Sequence, residues 1–164
     1  MYKSLVLAVA ALGVVAGAKL GLADDPSFRA DRKITGEYFR PHTAATYHQS
    51  AIGHAETLDY YGRRYSQLPV ETTQEHAEEI HRNLAAAKQE FSKLGDEAQS
   101  NPKIAEHLQA IEQHHARATE LARQLTDETT DAQTISECCS QIADELRAAD
   151  EENEKLKQTL GVKD

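Results

Sequence analysis

Apolar residues recur at three- and four-residue spacing in four separate runs along this chain, and the positions between them are filled by Glu, Lys, Arg and Gln. That period places one apolar stripe along one side of a helix, and no run alternates as a strand would. The first helix is expected to begin near Pro41, a residue suited to a first helical turn, and to reach about Gln67. Its inner stripe is Ala51, His54 with Ala55, Leu58, Tyr61, Tyr65 and Leu68. The second opens on a Thr72-to-Glu75 capping box and carries Ala77, Ile80 with His81, Leu84, Ala87, Phe91 and Leu94 before Gly95. The third starts at Asn101-Pro102 and carries Ile104, Leu108, Ile111, His115, Ala118, Ala122 and Leu125. The fourth follows capping boxes at Thr130 and Thr134. It carries Ile135, Cys138 with Cys139, Ile142, Leu146, Ala149, Asn153, Leu156 and Leu160, and stops at Gly161.

Four such stripes joined by short turns predict an all-α fold, an antiparallel up-down-up-down bundle of about four helices over residues 41–161. Helices of roughly 24 residues would each be about 36 Å long. The stripes are narrow, so a looser coiled-coil assembly between chains also fits the pattern, with Asn153 setting its register.

The N-terminal residues read differently. Lys3 precedes an apolar run from Leu5 to Ala18, followed by the small-residue sites Ala16-Gly17-Ala18 and Gly21-Leu22-Ala23. This is the pattern of a signal peptide over residues 1–23, cleaved after Ala23 or after Ala18, and it is too short to span a bilayer comfortably. A secreted or periplasmic protein with no stable membrane insertion after cleavage is the expectation. Residues 24–40 show no clear period and read as an extended N-terminal arm.

Charge narrows the partners. The formal net charge is −9 and becomes −11 once Lys3 and Lys19 leave with the signal peptide. So acidic a chain repels nucleic acid, which is excluded as a partner. The sequence holds no Trp and three Phe, a composition suited to a Leu, Ile and Ala core.

The candidate chemistry lies in eight histidines and two adjacent cysteines. Reflecting the third helix onto the second about a turn near residue 98 brings His81 within two residues of His114 and His115. Reflecting the fourth onto the third about residue 128 brings Cys138 and Cys139 within about one helical turn of His115, with Glu78 near the same level. His54 reflects to about residue 86 and would have to reach along the bundle. His81, His115, a thiolate from Cys138 or Cys139, and Glu78, with His54 and His114 close by, would suit zinc or copper. Set against that, a helical histidine is often a satisfied or solvated residue with no ligand. The Glu78-to-His81 and Glu112-to-His115 spacings match a di-iron element, but this content of Glu and His produces about one such match by chance.

Neighbouring cysteines on a helix point about 100° apart and cannot bridge each other. They remain candidates for a metal-binding thiolate, for a homodimer disulfide, or for small core residues. No C-x-x-C-H haem motif occurs. The Tyr60–Tyr65 segment with Arg63 and Arg64 reads as a cap on the bundle end, or as a site for an anion or partner. Neither a nucleophile–base arrangement nor a phosphate loop is present, so an enzyme is the weaker expectation. Two functions remain: a histidine-rich metal carrier, buffer or sensor, and a non-catalytic structural or interaction module that dimerises or holds a partner.

Overall fold

A computed structural model of the chain describes residues 26–96, 100–126 and 131–161, with only the backbone for residues 26–38. The signal-peptide segment and both cleavage sites lie outside the described residues. Four helices make up the fold: α1 Pro26–Gly62, α2 Val70–Ser92, α3 Pro102–Thr126 and α4 Ala132–Thr159. Each packs against its two neighbours in the order α1, α2, α3, α4 and back to α1, which closes the antiparallel bundle. No strand is found among the described residues. No helix there is long and apolar enough to cross a membrane.

The four stripes are the core. Leu58, Ile80, Leu125, Ile135, Ile142 and Leu146 are buried in one apolar cluster near the α1–α2 turn. Ala44, Phe91, Ile104, Ile111 and Leu156 are buried in a second cluster toward the other end. His48, His115 and Asp150 fall between these clusters, so the apolar interior is interrupted at mid-height by a polar layer.

Element boundaries differ from the periodic reading in four places. The first helix begins at Pro26 and runs through residues 26–40, the stretch read as an extended arm. Pro41 therefore lies inside it, where proline cannot donate to the preceding turn. Pro41 is fully buried, and its carbonyl accepts a hydrogen bond at 2.9 Å from the Nδ2 of buried Asn153. This gives Asn153 a contact within its own chain, alongside the inter-chain register role read from sequence. The second helix starts at Val70 behind Pro69, with no side-chain cap. Thr73 Oγ1 donates to the Pro69 carbonyl, and the Thr72 capping box is not used. The fourth is capped by Asp131, whose carboxylate accepts from both the backbone N–H and the hydroxyl of Thr134. Thr134 is thus a donor in that cap.

The first helix also stops five residues short of Gln67, and Gly62 marks the place. A methyl group there would stand 2.6 Å from the Ala132 carbonyl oxygen and 2.9 Å from Ser136 Cβ. The close crossing of α1 over the start of α4 therefore requires glycine. Beyond it, Ala132 N–H donates to the Ser66 carbonyl at 3.5 Å, and Gln67 pairs with Asp131, which ties the two turns together. Gly62→Ala is expected to lower stability by about 1–2 kcal/mol as the backbones are forced apart. Urea unfolding measures it, and an unchanged midpoint would contradict this account of the crossing.

Candidate functional site

The polar layer is built from one residue of α1, one of α3 and one of α4. His48 follows Ala44 by one turn and precedes Ala51 and Ala55 on the same stripe, so the helix carries it inward; its exposure is 0%. Its Nδ1 lies 2.5 Å from Asp150 Oδ1, and Gln49 Nε2 donates to the other carboxylate oxygen at 2.6 Å. Its Nε2 lies 2.6 Å from the Nε2 of His115, with the two rings edge-on. His115 sits between Ile111 and Ala118 on the stripe of α3 and is 7% exposed. Burial first, then the neighbouring His48, Lys88 and His114, pull its imidazole down to about 3, so it is neutral at neutral pH. A carboxylate can only accept, so His48 donates to Asp150 through Nδ1–H.

A second histidine pair joins α1 to α2. His54 Nδ1 and His76 Nδ1 are 3.0 Å apart, with the rings edge-on. They line a shallow cleft of about 260 Å³ together with Glu75, Glu78 and Glu79. Burial and the adjacent His54 hold His76 below the ordinary imidazole range, against the pull of Glu75 and Glu79. Two more histidines pair with carboxylates across α3 and α4. His107 Nδ1 contacts Glu152 at 2.9 Å, and His114 Nδ1 contacts Glu145 at 2.6 Å.

These contacts fix the register of the bundle and so the fate of the candidate ligand set. His54 facing His76, and Arg40 facing Glu90, centre the first turn at residue 65. The sequence reading centred it near 70, because it extended the first helix to Gln67, and so missed His76. Lys88 facing Glu112 centres the second turn at 100. His107 with Glu152 centres the third between 129 and 130. Cys139 then lies about 7.5 Å along the axis from the level of His115, too far for the shared coordination the sequence suggested.

The seven candidates therefore separate. His81 and His115 line one groove between α2 and α3. His54 and Glu78 line the α1–α2 cleft, and His114 belongs to the α3–α4 face. Cys139 is buried in the core, where desolvation first and then Cys138 and Asp59 push its thiol up to about 12. Cys138 is half-buried and leans on Gln124 Oε1 at 3.8 Å, so an intermolecular disulfide would fall to it. Among the described residues, no three His, Cys, Asp or Glu side chains are gathered where they could hold a metal ion.

The chain matches no protein-family model, and comparison with curated proteins and with solved structures finds no match.

Residue chemistry alone must then rank the two histidine pairs as donors. Two nitrogens bound to one ion at about 2.0–2.1 Å stand about 2.9 Å apart at right angles and about 3.3 Å apart in a tetrahedron. The His54–His76 separation of 3.0 Å lies in that range. The His48–His115 separation of 2.6 Å is below it, and Nε2 of each is already turned to the other. Both contacts are hydrogen bonds in the metal-free chain, and only the first has a separation that two ligands of one ion would also show.

Proposed function

We propose that this chain is an exported four-helix bundle that binds a transition-metal ion, zinc or copper, at the α1–α2 cleft, as a carrier, buffer or sensor. The observation that supports it is the 3.0 Å approach of His54 Nδ1 to His76 Nδ1 beside three glutamates. Imidazole ligands must be neutral, and His76 is held in that form by its surroundings. In the metal-free protein one ring donates its Nδ1–H to the other; to bind an ion, the donating ring would carry its proton on Nε2 instead, so that both Nδ1 lone pairs face the ion. Glu79 lies three residues beyond His76 on the same helical face and supplies a carboxylate after release from its exposed ion pair with Arg82. His81, His115, Cys138 and Cys139 are not needed in this version of the site.

Titration of the mature chain with Zn²⁺ or Cu²⁺, followed by calorimetry, tests the reading. A hundredfold excess over Kd should stabilise the fold by about 2.7 kcal/mol. His54→Ala or His76→Ala should weaken binding at least about tenfold, a loss comparable to removing a supporting ligand contact, while His115→Leu should leave it intact. Binding should fade below about pH 6 as imidazole becomes protonated. Equal affinities in His54→Ala, His76→Ala and the unaltered chain would sink the reading.

The alternative, a non-catalytic interaction module, draws on the aromatic end of α1. Tyr60 and Tyr65 are 49% and 60% exposed, and Arg64 sits 4.0 Å over the Tyr60 ring. Exposed aromatics beside arginine suit a protein partner.

A further inference from the structure

His115 is the only member of the mid-bundle polar layer that reaches the groove between α2 and α3. Two adjoining hollows, about 340 and 640 Å³, share Lys88, Glu112 and His115 as lining residues. The smaller is walled by Phe91, Leu108 and Ile111, and the Lys88–Glu112 ion pair, 2.8 Å long, spans it from α2 to α3. Its size falls within the range of small-molecule sites; Phe91, Leu108 and Ile111 give it an apolar wall, and Lys88, Ser92, Glu112 and His115 line the rest, with Lys88 and Glu112 already paired to each other.

The hydrogen-bond chain behind His115 decides what that polar group offers. Asp150 only accepts, so a neutral His48 carries its single proton on Nδ1 and presents a bare Nε2. His115 must then donate from its own Nε2, 2.6 Å away. The proton is thereby assigned to Nε2 of His115 by the network, and Nδ1 is left with its lone pair. Among the described residues Nδ1 has no protein partner. His115 is 7% exposed and lines the groove, which is therefore where its free Nδ1 can meet a ligand. A carboxylate one imidazole removed from His115 thus turns the groove floor into a hydrogen-bond acceptor.

We infer that this groove binds a small planar aromatic molecule bearing a single hydrogen-bond donor, a phenol, whose hydroxyl donates to Nδ1 of His115. The ring lies against Phe91, whose plane is tilted 43° to that of His115 at a centroid distance of 6.2 Å. A neutral donor suits the site better than an acid. Glu112 stands at the rim, Lys88 is already paired with it, and the whole chain is acidic.

The test uses the mature chain with a chelator present, so that metal binding at the α1–α2 cleft does not contribute. Phenol, toluene and benzaldehyde are titrated while ¹⁵N spectra of the histidine rings are recorded. Phenol should bind at least tenfold more tightly than toluene, and benzaldehyde, which can only accept, no better than toluene. The ring spectra should show His115 protonated at Nε2 and His48 at Nδ1. His115→Leu should abolish the preference for phenol while toluene still binds, which also reports that the variant is folded. His48→Leu should mix the His115 tautomers and narrow the preference. Phenol binding no tighter than toluene, a proton found on Nδ1 of His115, or a preference kept in His115→Leu would each overturn the proposal.

Discussion

Acidification from about pH 7.5 to about pH 5 is expected to cost the fold about 2 kcal/mol through His115 alone. The imidazole has an ordinary value of 6.5 and is pulled to about 3 in the folded chain, by burial first and then by His48, Lys88 and His114. Between those values the unfolded chain takes up a proton that the folded chain refuses. The stabilisation is therefore complete above pH 6.5, falls as pH drops through that window, and levels off below about 3, where the full loss is on the order of 5 kcal/mol. His76, also held low by burial and by His54, works in the same direction. Carboxylates held low by cations, such as Glu90 beside Lys93 and Arg40, add their loss only at more acid pH. The window between about pH 7 and 5 is therefore where the histidines are read. Urea unfolding of the unaltered chain and of His115→Leu at both ends of it measures the effect. The variant should start less stable, because His48 loses its donor, yet show a clearly shallower fall with acid. An identical fall in both chains would mean that His115 is not held neutral.

Most of this architecture is legible in the spacing of apolar residues. Ile80, Leu84, Phe91, Ile111, Ala118, Ile135, Ile142 and Leu146 all lie buried on the stripes that period assigns. His115 was legible in the same way, because it replaces an aliphatic residue in an otherwise regular run. His48 was not, although the spacing of Ala44, His48, Ala51 and Ala55 carried the signal. Starting the helix at Pro41 put those residues in its first turns, where the stripe has little leverage. Histidine pairing depends on turn centres, and a turn centre moves with every misplaced helix end. Extending α1 from Gly62 to Gln67 was enough to hide His76 from His54. α1 ends at Gly62, where its backbone passes close to Ala132 and Ser136, a long-range contact that no local pattern announces.

That polar layer separates two apolar clusters which could have met, and this bears on the last expectation. Asp150→Ala should lower stability by about 2–3 kcal/mol, because it leaves the Nδ1–H of a fully buried His48 without an acceptor. His48→Leu should cost less, about 1–2 kcal/mol, since Asp150 keeps its bond to Gln49 and the new side chain is of similar volume, while one N–H on His115 loses its acceptor. The two losses should not add. Once His48 is leucine, the carboxylate has no imidazole to satisfy, so Asp150→Ala in that background should cost at least about 1 kcal/mol less than it does alone. Adding His115→Leu joins the two clusters into one continuous core. Replacing a buried polar network by apolar residues of similar volume is often neutral or stabilising. The triple variant is therefore expected within about 1 kcal/mol of the unaltered chain, with a flatter acid response. Urea midpoints at constant slope give all of these values. Strict additivity of the single variants, or a triple variant less stable than either, would mean that Asp150, His48 and His115 are three independent contacts and not one connected layer.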